Sequence, residues 1–252
     1  MKITNMKKMA LGKYKLTLDD KKEVILHEDV VIKNVLLLGK NIDDKLMDEI
    51  NEENIKATVY NQALNYISRR IRSREEVEKF LLRKNYDKKQ IDYAIQRLES
   101  ENYINDYLFA TAYVNDKLHM SNDGPNKMRK HLTNLKVDES IISEVISKID
   151  DSIINDKIDK LIDKQIRLKN KYRGNILKNK ILNYLINLGY ERDIIVKKLE
   201  GINLDNKKDI QKEYQKLYKK YGTKYSGSKL EMVIKQKLYQ KGYDISDLGN
   251  TE

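Results

Sequence analysis

Residues 73–98 read SREEVEKFLLRKNYDKKQIDYAIQRL, and the apolar pattern of this stretch returns three more times along the chain. An apolar residue stands four positions before a leucine, and further apolar or aromatic residues follow the leucine at regular distances. Successive leucines of the pattern are 51, 53 and 53 residues apart, at Leu81, Leu132, Leu185 and Leu238. A repeat of this period indicates tandem supersecondary units and no obvious catalytic scaffold.

Each copy of the pattern predicts two helices joined by a tight turn. Val77 and Leu81 lie one helical turn apart on the same face, and the apolar residues after the turn have helical spacing too. In three copies the turn contains a residue suited to the left-handed conformation that ends a helix: Asn85, Gly189 and Gly242. The helix starts are marked by the caps Asp87 and Asp138 and by the capping boxes Ser73–Glu76 and Asp87–Gln90.

A more variable helix is predicted before each pair, so that a complete unit has three helices. These variable helices are expected over about residues 57–71, 105–119, 152–170 and 208–221. The fold class is therefore mainly α, an elongated tandem array of three-helix units. The predicted domains are an N-terminal part, residues 1–56, and units 57–102, 103–150, 151–204 and 205–252, the last truncated in its final helix.

The N-terminal part has a different pattern. Apolar residues alternate with polar ones on both sides of a polar turn within residues 13–27, which predicts a small β-hairpin. A short helix is predicted from Asp29 to Leu38, and Asp43 is expected to cap another helix through about Asn54. Because a hairpin of this size is not stable alone, we expect it to pack on the first unit through Val31, Val35 and Leu36.

The composition excludes several classes of site. The chain has no run of 18 apolar residues, no signal-peptide core and no cysteine, so a cytoplasmic protein is expected. The three histidines share no ligand spacing and are expected at the surface, and no phosphate-binding loop, dinucleotide fingerprint or nucleophile elbow occurs. We therefore predict no enzyme, no cofactor and no metal.

The net charge of +11 lies on the repeats, since residues 1–56 hold eleven lysines and eleven acidic residues. A basic helical array favours phosphate or an acidic protein surface as partner. A competing explanation is that an A/T-rich coding sequence places lysine on solvated faces. One predicted helix fits both explanations. Its one side carries Lys212, Lys216, Lys219 and Lys220, and the opposite side carries Tyr214, Leu217, Tyr218 and Tyr221, which have helical spacing and are expected in the core.

Arginine is more informative, because the chain contains only ten and four of them fall within six residues. The four are Arg69, Arg70, Arg72 and Arg74. Planar guanidinium groups suit phosphate and carboxylate recognition. In the alternative interpretation they cover a helix junction and pair with Glu75, Glu76 or Glu78.

A distinctive set of residues begins before the first helix pair and continues into the second unit: Ala63-Leu64, Arg70-Ile71-Arg72-Ser73, Glu76, Leu81, Ile91, Leu98, Ile104-Asn105-Asp106, Phe109-Ala110, Tyr113-Val114, Gly124 and Leu132. This set resembles the RecX family. Two positions depart from the family pattern: Asn105-Asp106 replaces a pair of acidic residues, and Lys117 replaces an arginine. The N-terminal hairpin, the Leu38-Gly39 step and the fourth unit resemble the longer form of low-GC Gram-positive bacteria.

The resemblance implies a non-enzymatic regulator that binds the RecA recombinase filament on single-stranded DNA. It would modulate, in our prediction inhibit, filament assembly, ATP hydrolysis and strand exchange in DNA repair and recombination, including the SOS response. We expect a monomer with weak, non-specific, salt-dependent affinity for single-stranded DNA and no membrane partner. The predicted partner- and DNA-binding residues are Arg69, Arg70, Arg72, Arg74, Lys117, Lys127, Arg129, Lys130, Lys171, Arg173, Lys212, Lys216, Lys219 and Lys220.

A second function stays open at this point, because three-helix units with a tight turn also resemble helix-turn-helix proteins that read duplex DNA. In that case Gln90 and Arg97 are the candidates for base contacts in the first unit. The corresponding helices of the second and third units begin with acidic stretches, Asp138-Glu139-Ser140 and Glu191-Arg192-Asp193, where phosphates and bases would lie. This arrangement disfavours specific reading of duplex DNA.

Overall fold

The computed structural model of the protein describes residues 1–169, 171–202, 207–243 and 245–248. Within these residues the fold is mainly α-helical, with twelve α-helices and a three-stranded antiparallel sheet at the N-terminus. The chain forms two compact units, one from residues 1–113 and 132–142, the other from residues 114–131 and 143–252 as far as they are described. The division into residues 1–56 and four three-helix units stays a prediction, and its boundary at 204/205 and its end at 249–252 lie outside the described residues.

The N-terminal sheet contains the predicted hairpin and one additional strand. Strands β2 (Lys13–Leu18) and β3 (Glu23–His27) form the hairpin, and β1 (Ile3–Met9) pairs with β2 on its other side. The sequence prediction missed β1 because only Ile3 of this strand is fully buried, so that β1 lacks the alternation expected of a half-buried strand.

Two helices after the sheet differ from their predicted bounds. The first, α1 (Glu28–Lys33), begins without a side-chain cap and ends before Leu38, because Val35 has φ +48° and cannot continue a helix. Val31 and Leu36 are buried in a core cluster of the N-terminal part, which Ala57 of the predicted first unit joins. Val35 is 60% exposed, so its predicted packing role is wrong.

The helix α2 (Asp44–Ile67) runs without a break where two helices, one through Asn54 and one over 57–71, were predicted. No glycine or proline interrupts the helix between these segments, so nothing ends the first one. Asp43 caps α2 as predicted, its side chain accepting from the Leu46 N–H at 2.7 Å. Because α2 ends at Ile67, the arginines from Arg69 onward lie in the connection that follows it.

The pattern of residues 73–98 folds as predicted into α3 (Arg74–Leu82) and α4 (Lys88–Ser100). Both predicted capping boxes are present, Ser73 with Glu76 and Asp87 with Gln90. The apolar positions Val77, Leu81, Ile91, Ile95 and Leu98 are fully buried and pack with α2 residues Val59 and Ala63. The repeat pattern is thus the core pattern of the helix pair.

The later helices follow the same order. They are α5 (Asp106–Met120), α6 (Pro125–Asn134), α7 (Glu139–Ser147), α8 (Asp151–Leu168), α9 (Gly174–Asn187), α10 (Arg192–Glu200), α11 (Lys207–Tyr221) and α12 (Gly227–Lys241), followed by a short 3₁₀ turn, Ile245–Leu248. Leu132, Leu185 and Leu238 are fully buried, like Leu81 in the first copy. The turns of the four copies contain left-handed residues at Asn85, Lys136, Gly189 and Gly242.

The predicted burial of two residues needs correction. Tyr218 was assigned to the core of the fourth unit, but it is 49% exposed, whereas Leu217 is buried. His27 was expected at the surface, but it is 6% exposed at the end of β3. Tyr218 shows that helical spacing predicts a face only approximately, since neighbouring elements decide how wide the covered face is.

Candidate partner and nucleic-acid interface

The arginine cluster forms the connection between α2 and α3, and much of it is engaged within the chain. The Glu76 carboxylate binds both Arg70 and Arg72, with 3.5 Å between Oε1 and the Arg72 Nη1. Burial by itself would raise the pKa of Glu76. Hydrogen bonds from Arg70 and from the Ser73 N–H, with the two positive charges, outweigh burial and hold this pKa below its usual value. The alternative interpretation, in which acidic residues of α3 pair with the cluster, therefore describes these two arginines.

Arg72 is the most enclosed member of the cluster. Its guanidinium carbon lies 4.1 Å from the centre of the Tyr66 ring, and that ring stacks on Phe80 with 4.1 Å between centroids. The side chain is only 15% exposed, and its Nε has no acceptor among the described residues. A cation stacked in this way stabilises the helix junction, so Arg72 is positioned to hold α2 and α3 together more than to reach a partner.

Arg74 is engaged by acidic residues of the described chain, whereas Arg69 is not. The Arg74 N–H donates to the Asp106 carboxylate at 3.0 Å, and its guanidinium lies 3.3 Å from Glu99. Burial raises the pKa of Asp106, and the N–H and charge of Arg74 partly offset this effect. Arg69 is exposed and forms no ion pair with any part of the chain that the structure describes. Arg69 is thus the cluster member most available to a partner.

The predicted basic residues of the second unit lie on α5 and α6. Lys117 and Lys127 flank one carboxylate, Asp123, at 3.9 and 2.7 Å. Arg129 donates to the Ser143 hydroxyl at 3.0 Å, whereas Lys130 is exposed on α6. The structure therefore brings Lys117 and Lys127 together through Asp123 and leaves Lys130 directed to solvent.

The two predicted residues of the third unit stand just before α9. Lys171 is exposed, with its Nζ 5.2 Å from the centre of the Tyr172 ring. Arg173 is the residue before the helix, and its Nη1 donates to the Tyr172 carbonyl at 2.8 Å. Its backbone N–H also donates to the Lys241 carbonyl at 2.7 Å, so Arg173 is part of a contact between helices as well as a surface charge.

The lysines of α11 form the most open of the predicted groups. Ile210 and Leu217 bury the opposite side of this helix against Leu230, Ile234 and Leu238 of α12. The exposed side contains Lys212, Lys216, Lys219 and Lys220, which we call the lysine face. None of these four forms an ion pair within residues 207–243, or with another described residue. A row of unpaired ammonium groups on one helix side can follow a chain of phosphates.

Sequence reasoning missed one exposed aromatic side chain beside the lysine face. Tyr218 lies between Lys216 and Lys219 in the sequence and is half exposed. It was assigned to the core because it has helical spacing with Tyr214, which does pack against the core. An exposed aromatic ring among lysines can stack on a base while the lysines bind phosphates. One signal in the sequence could have indicated its exposure: Tyr218 is followed directly by Lys219 and Lys220 on a strongly basic helix.

Among the described residues, no group of three or more His, Asp or Glu side chains is arranged to hold a metal ion. No helix in the described ranges is long and apolar enough to cross a membrane.

Fold and surface together define a helical repeat protein with a small N-terminal sheet and basic residues at its helix junctions. Comparison with known proteins identifies the family. Residues 60–98 match the family model described as RecX, first three-helix domain. "Regulatory protein RecX" of Bacillus cytotoxicus is 34% identical over 229 residues, 88% of this chain and 84% of that protein. The protein of the same name from Bacillus subtilis is 30% identical over 97% of this chain and 94% of its own length. The chain belongs to the RecX family of regulatory proteins.

Solved structures support the same fold. A crystal structure of regulatory protein RecX aligns with a TM-score of 0.70 at 23% identity, covering 77% of this chain and 96% of that one. A crystal structure of RecX from Lactobacillus salivarius aligns with a TM-score of 0.55 at 27% identity, covering 60% of this chain and 99% of its own. The mainly helical architecture predicted from the repeat pattern is thus confirmed.

Proposed function

We propose that this protein is a non-enzymatic, monomeric regulator that binds the RecA recombinase filament on single-stranded DNA in the cytoplasm. Binding inhibits filament assembly, ATP hydrolysis and strand exchange. Membership in the RecX family supports the class of function. The structural observation that carries the proposal is the lysine face of α11, whose four exposed ammonium groups form no ion pair within the described residues.

The lysine face fits a filament that contains nucleic acid. Each ammonium group that approaches a phosphate releases a condensed counterion, which gives affinity without reading the base sequence. Acidic side chains of a protein filament attract the same surface. The contacts of such a site are therefore non-specific for sequence and sensitive to salt, as expected for a regulator that acts anywhere along a filament.

The arginine cluster contributes less to binding in this proposal than its sequence suggested. Arg70 and Arg72 share Glu76, and Arg74 approaches Glu99. These pairs reduce the charge that remains for a partner. Arg69 is the member of the cluster that we assign to filament contact, together with the exposed Lys130 and Lys171.

The alternative function, reading of duplex DNA by a helix-turn-helix, receives no support from its two candidate side chains. The Gln90 side chain accepts the Asp87 N–H at 3.1 Å and completes the capping box. Arg97 stacks on Tyr60, 4.0 Å from the ring centre, and its Nε donates to Glu101 at 2.9 Å. Both side chains are committed to contacts within the fold, and a base would have to displace them.

Recombinase ATPase and filament length, measured at increasing concentrations of the protein, test the proposal. We expect the wild-type protein to lower the ATPase rate and to shorten the filaments. Replacement of the four lysines of the lysine face by glutamine should raise the concentration for half-inhibition about tenfold or more, since several phosphate contacts are lost.

The matched control removes the same charge from lysines that are ion-paired: Lys15, Lys33, Lys79 and Lys88. Surface pairs of this kind contribute little to stability, so the control variant should fold and inhibit like the wild type. Equal loss of inhibition in both variants would show that inhibition depends on the net charge of the protein and not on the lysine face. No effect of wild-type protein on ATPase or filament length would overturn the proposed function.

A further inference from the structure

The longest part of the chain without an acidic residue runs from residue 164 to residue 190. It contains the end of α8, the connection to α9 and the whole of α9. Seven basic residues fall within it: Lys164, Arg167, Lys169, Lys171, Arg173, Lys178 and Lys180. A phosphate backbone that approaches this segment is therefore attracted by its cations and repelled by no carboxylate of the segment itself.

Two tyrosines of this segment lie under lysine side chains. The Nζ atoms of Lys180 and Lys171 lie 4.4 Å and 5.2 Å from the centre of the Tyr172 ring. The Lys169 Nζ lies 5.5 Å from the centre of the Tyr184 ring and donates to the Lys180 carbonyl at 3.3 Å. These contacts join the two rings into one group. We call it the tyrosine–lysine cluster: Lys169, Lys171, Tyr172, Lys180 and Tyr184.

The three lysines of the cluster differ from other cations that lie over aromatic rings in this chain. Lys56 lies 5.7 Å from the centre of the Tyr93 ring, but it also binds the Glu52 carboxylate at 2.7 Å. Arg72 and Arg97 likewise combine an aromatic ring with a glutamate. The three lysines of the cluster form no ion pair with any residue that the structure describes. Their charge is therefore available to an anionic ligand.

The fold holds the cluster in place. The Tyr172 N–H donates to the Lys169 carbonyl at 3.0 Å, which closes a turn in the connection between α8 and α9. Lys180 and Tyr184 stand four positions apart on α9 and so share one face of this helix. Both tyrosines are half-buried. Their rings are thus supported by the fold and still reach solvent, as a stacking surface requires.

We propose that the tyrosine–lysine cluster is a binding site for single-stranded DNA. An unpaired base stacks on Tyr172, and the ammonium groups of Lys171 and Lys180 bind the flanking phosphates. This inference rests on the proposed function, which supplies the single strand. Stacking of a base on an aromatic side chain contributes more than a solvent-exposed contact between a cation and a ring. A base therefore displaces the lysines from the Tyr172 ring, and each displaced ammonium group becomes available to a phosphate.

The chemistry of the cluster favours an unpaired strand over a duplex or an acidic protein surface. In a duplex the neighbouring base pairs cover both faces of each base, so the Tyr172 ring has no base face to stack on. An acidic protein surface binds the lysines but makes no use of the ring. A single strand offers phosphates and free base faces together, and stacking accepts any of the four bases.

The first test needs no variant. Fluorescence anisotropy without recombinase compares two oligonucleotides of equal length, one with mixed bases and one with abasic sites on the same phosphate backbone. We expect the wild type to bind the strand with bases about tenfold more tightly. A 2-aminopurine base in that strand should lose fluorescence on binding, because stacking quenches its emission. Equal affinity of the wild type for both strands overturns the stacking site.

A substitution assigns the stacking to one ring. We expect Tyr172→Leu to weaken binding to the strand with bases about fivefold and to leave binding to the abasic strand unchanged. Tyr172→Phe keeps the ring and should bind like the wild type. Tyr93→Leu is the matched control, since Tyr93 is 42% exposed and lies under Lys56, whose charge Glu52 binds. Circular dichroism checks that the helices of each variant are intact.

The outcomes separate this inference from the proposed function. Unchanged binding of both strands by Tyr172→Leu overturns the site, and the proposed function stands if the wild type inhibits the recombinase ATPase. An equal loss of affinity for single-stranded and duplex DNA in this variant also overturns it, because Tyr172 would then not act on an unpaired base. A wild type without effect on ATPase and filament length overturns the proposed function, whereas a base preference that Tyr172→Leu abolishes would still establish the DNA site.

Discussion

Gly124 and Gly189, 65 positions apart, meet through their backbones alone. A Cβ on Gly124 would lie 2.6 Å from both the carbonyl carbon and the oxygen of Gly189, closer than real Cβ contacts. The Gly124 N–H completes the contact by donating to the carbonyl of Leu188, the neighbour of Gly189, at 2.6 Å. The joint between the second and third helix pairs therefore depends on the absence of side chains at two positions that belong to different repeats.

The first prediction follows from this contact. We expect Gly124→Ala to lower the free energy of unfolding by about 2–4 kcal/mol, because the added methyl group forces the two backbones apart. Urea denaturation monitored by circular dichroism measures the change. Gly201→Ala is the control, since Gly201 has φ −71° and its nearest neighbouring atom would be 3.8 Å from the new Cβ. A Gly124→Ala variant as stable as the Gly201→Ala variant would mean that the backbones at Gly124 and Gly189 can move apart at little cost in free energy.

The sequence predicted the helix pairs well because their pattern is local. Val77, Leu81 and Ile91 are fully buried, and their spacing follows directly from helix geometry. The strand β1 was missed for the opposite reason. Its partner β2 covers its hydrogen-bonding edge, but its side chains, such as Lys7 and Lys8, are mostly exposed and leave no alternating pattern.

The arrangement of the basic residues was harder to predict, because it depends on contacts between distant positions. Arg74 approaches Glu99, 25 positions away, and Lys136 binds Glu75 at 2.9 Å across 61 positions. No local spacing in the sequence predicts such ion pairs. The sequence could predict that the four lysines share one exposed side of α11, because Ile210 and Leu217 define the buried side. It could not predict that Tyr218 is exposed, since this depends on how much of the buried side α12 covers.

The second prediction concerns the stacked arginine. We expect Arg72→Ala to lower the free energy of unfolding by about 1–2 kcal/mol, because it removes a desolvated cation from the Tyr66 ring and a partner from Glu76. Arg69→Ala, at an exposed neighbouring position, should change stability by less than about 0.5 kcal/mol. Thermal and urea denaturation of the two variants measure the difference. Equal stability of both would show that the stack contributes nothing at this junction.

The third prediction concerns pH. His27 is buried, its Nδ1 lies 3.3 Å from the Asn61 Nδ2, and its Nε2 has no partner among the described residues. Burial, with a smaller contribution from the charge of Lys13, lowers the pKa of His27, while Asp29 opposes the shift. Because the folded-state pKa lies below the unfolded value of about 6.5, the unfolded chain binds the proton more readily. The stability that neutral His27 contributes is present above about pH 6.5 and is lost as the pH falls.

The comparison of wild type with His27→Leu isolates this effect. Unfolding free energies are measured between about pH 8 and pH 5, and the wild type should lose stability relative to the variant as the pH decreases. The difference has a limiting slope of about 1.4 kcal/mol per pH unit, the value for one proton. A parallel pH dependence of the two proteins would contradict a lowered His27 pKa, whatever the absolute stability of the variant.

The last prediction concerns the salt dependence of binding to bare single-stranded DNA. On a single strand the slope of log K against log salt falls by about 0.7 for each phosphate that a cation neutralises. If all four residues of the lysine face contact phosphates, replacing Lys212, Lys216, Lys219 and Lys220 by glutamine should make the slope shallower by about 2.8. Fluorescence anisotropy on a mixed-sequence oligonucleotide between about 50 and 200 mM salt measures both slopes. The variant with the four ion-paired lysines replaced should keep a slope near that of the wild type, because those ammonium groups already bind carboxylates within the fold. An unchanged slope in the lysine-face variant would mean that these lysines are solvated and that the DNA follows a different surface.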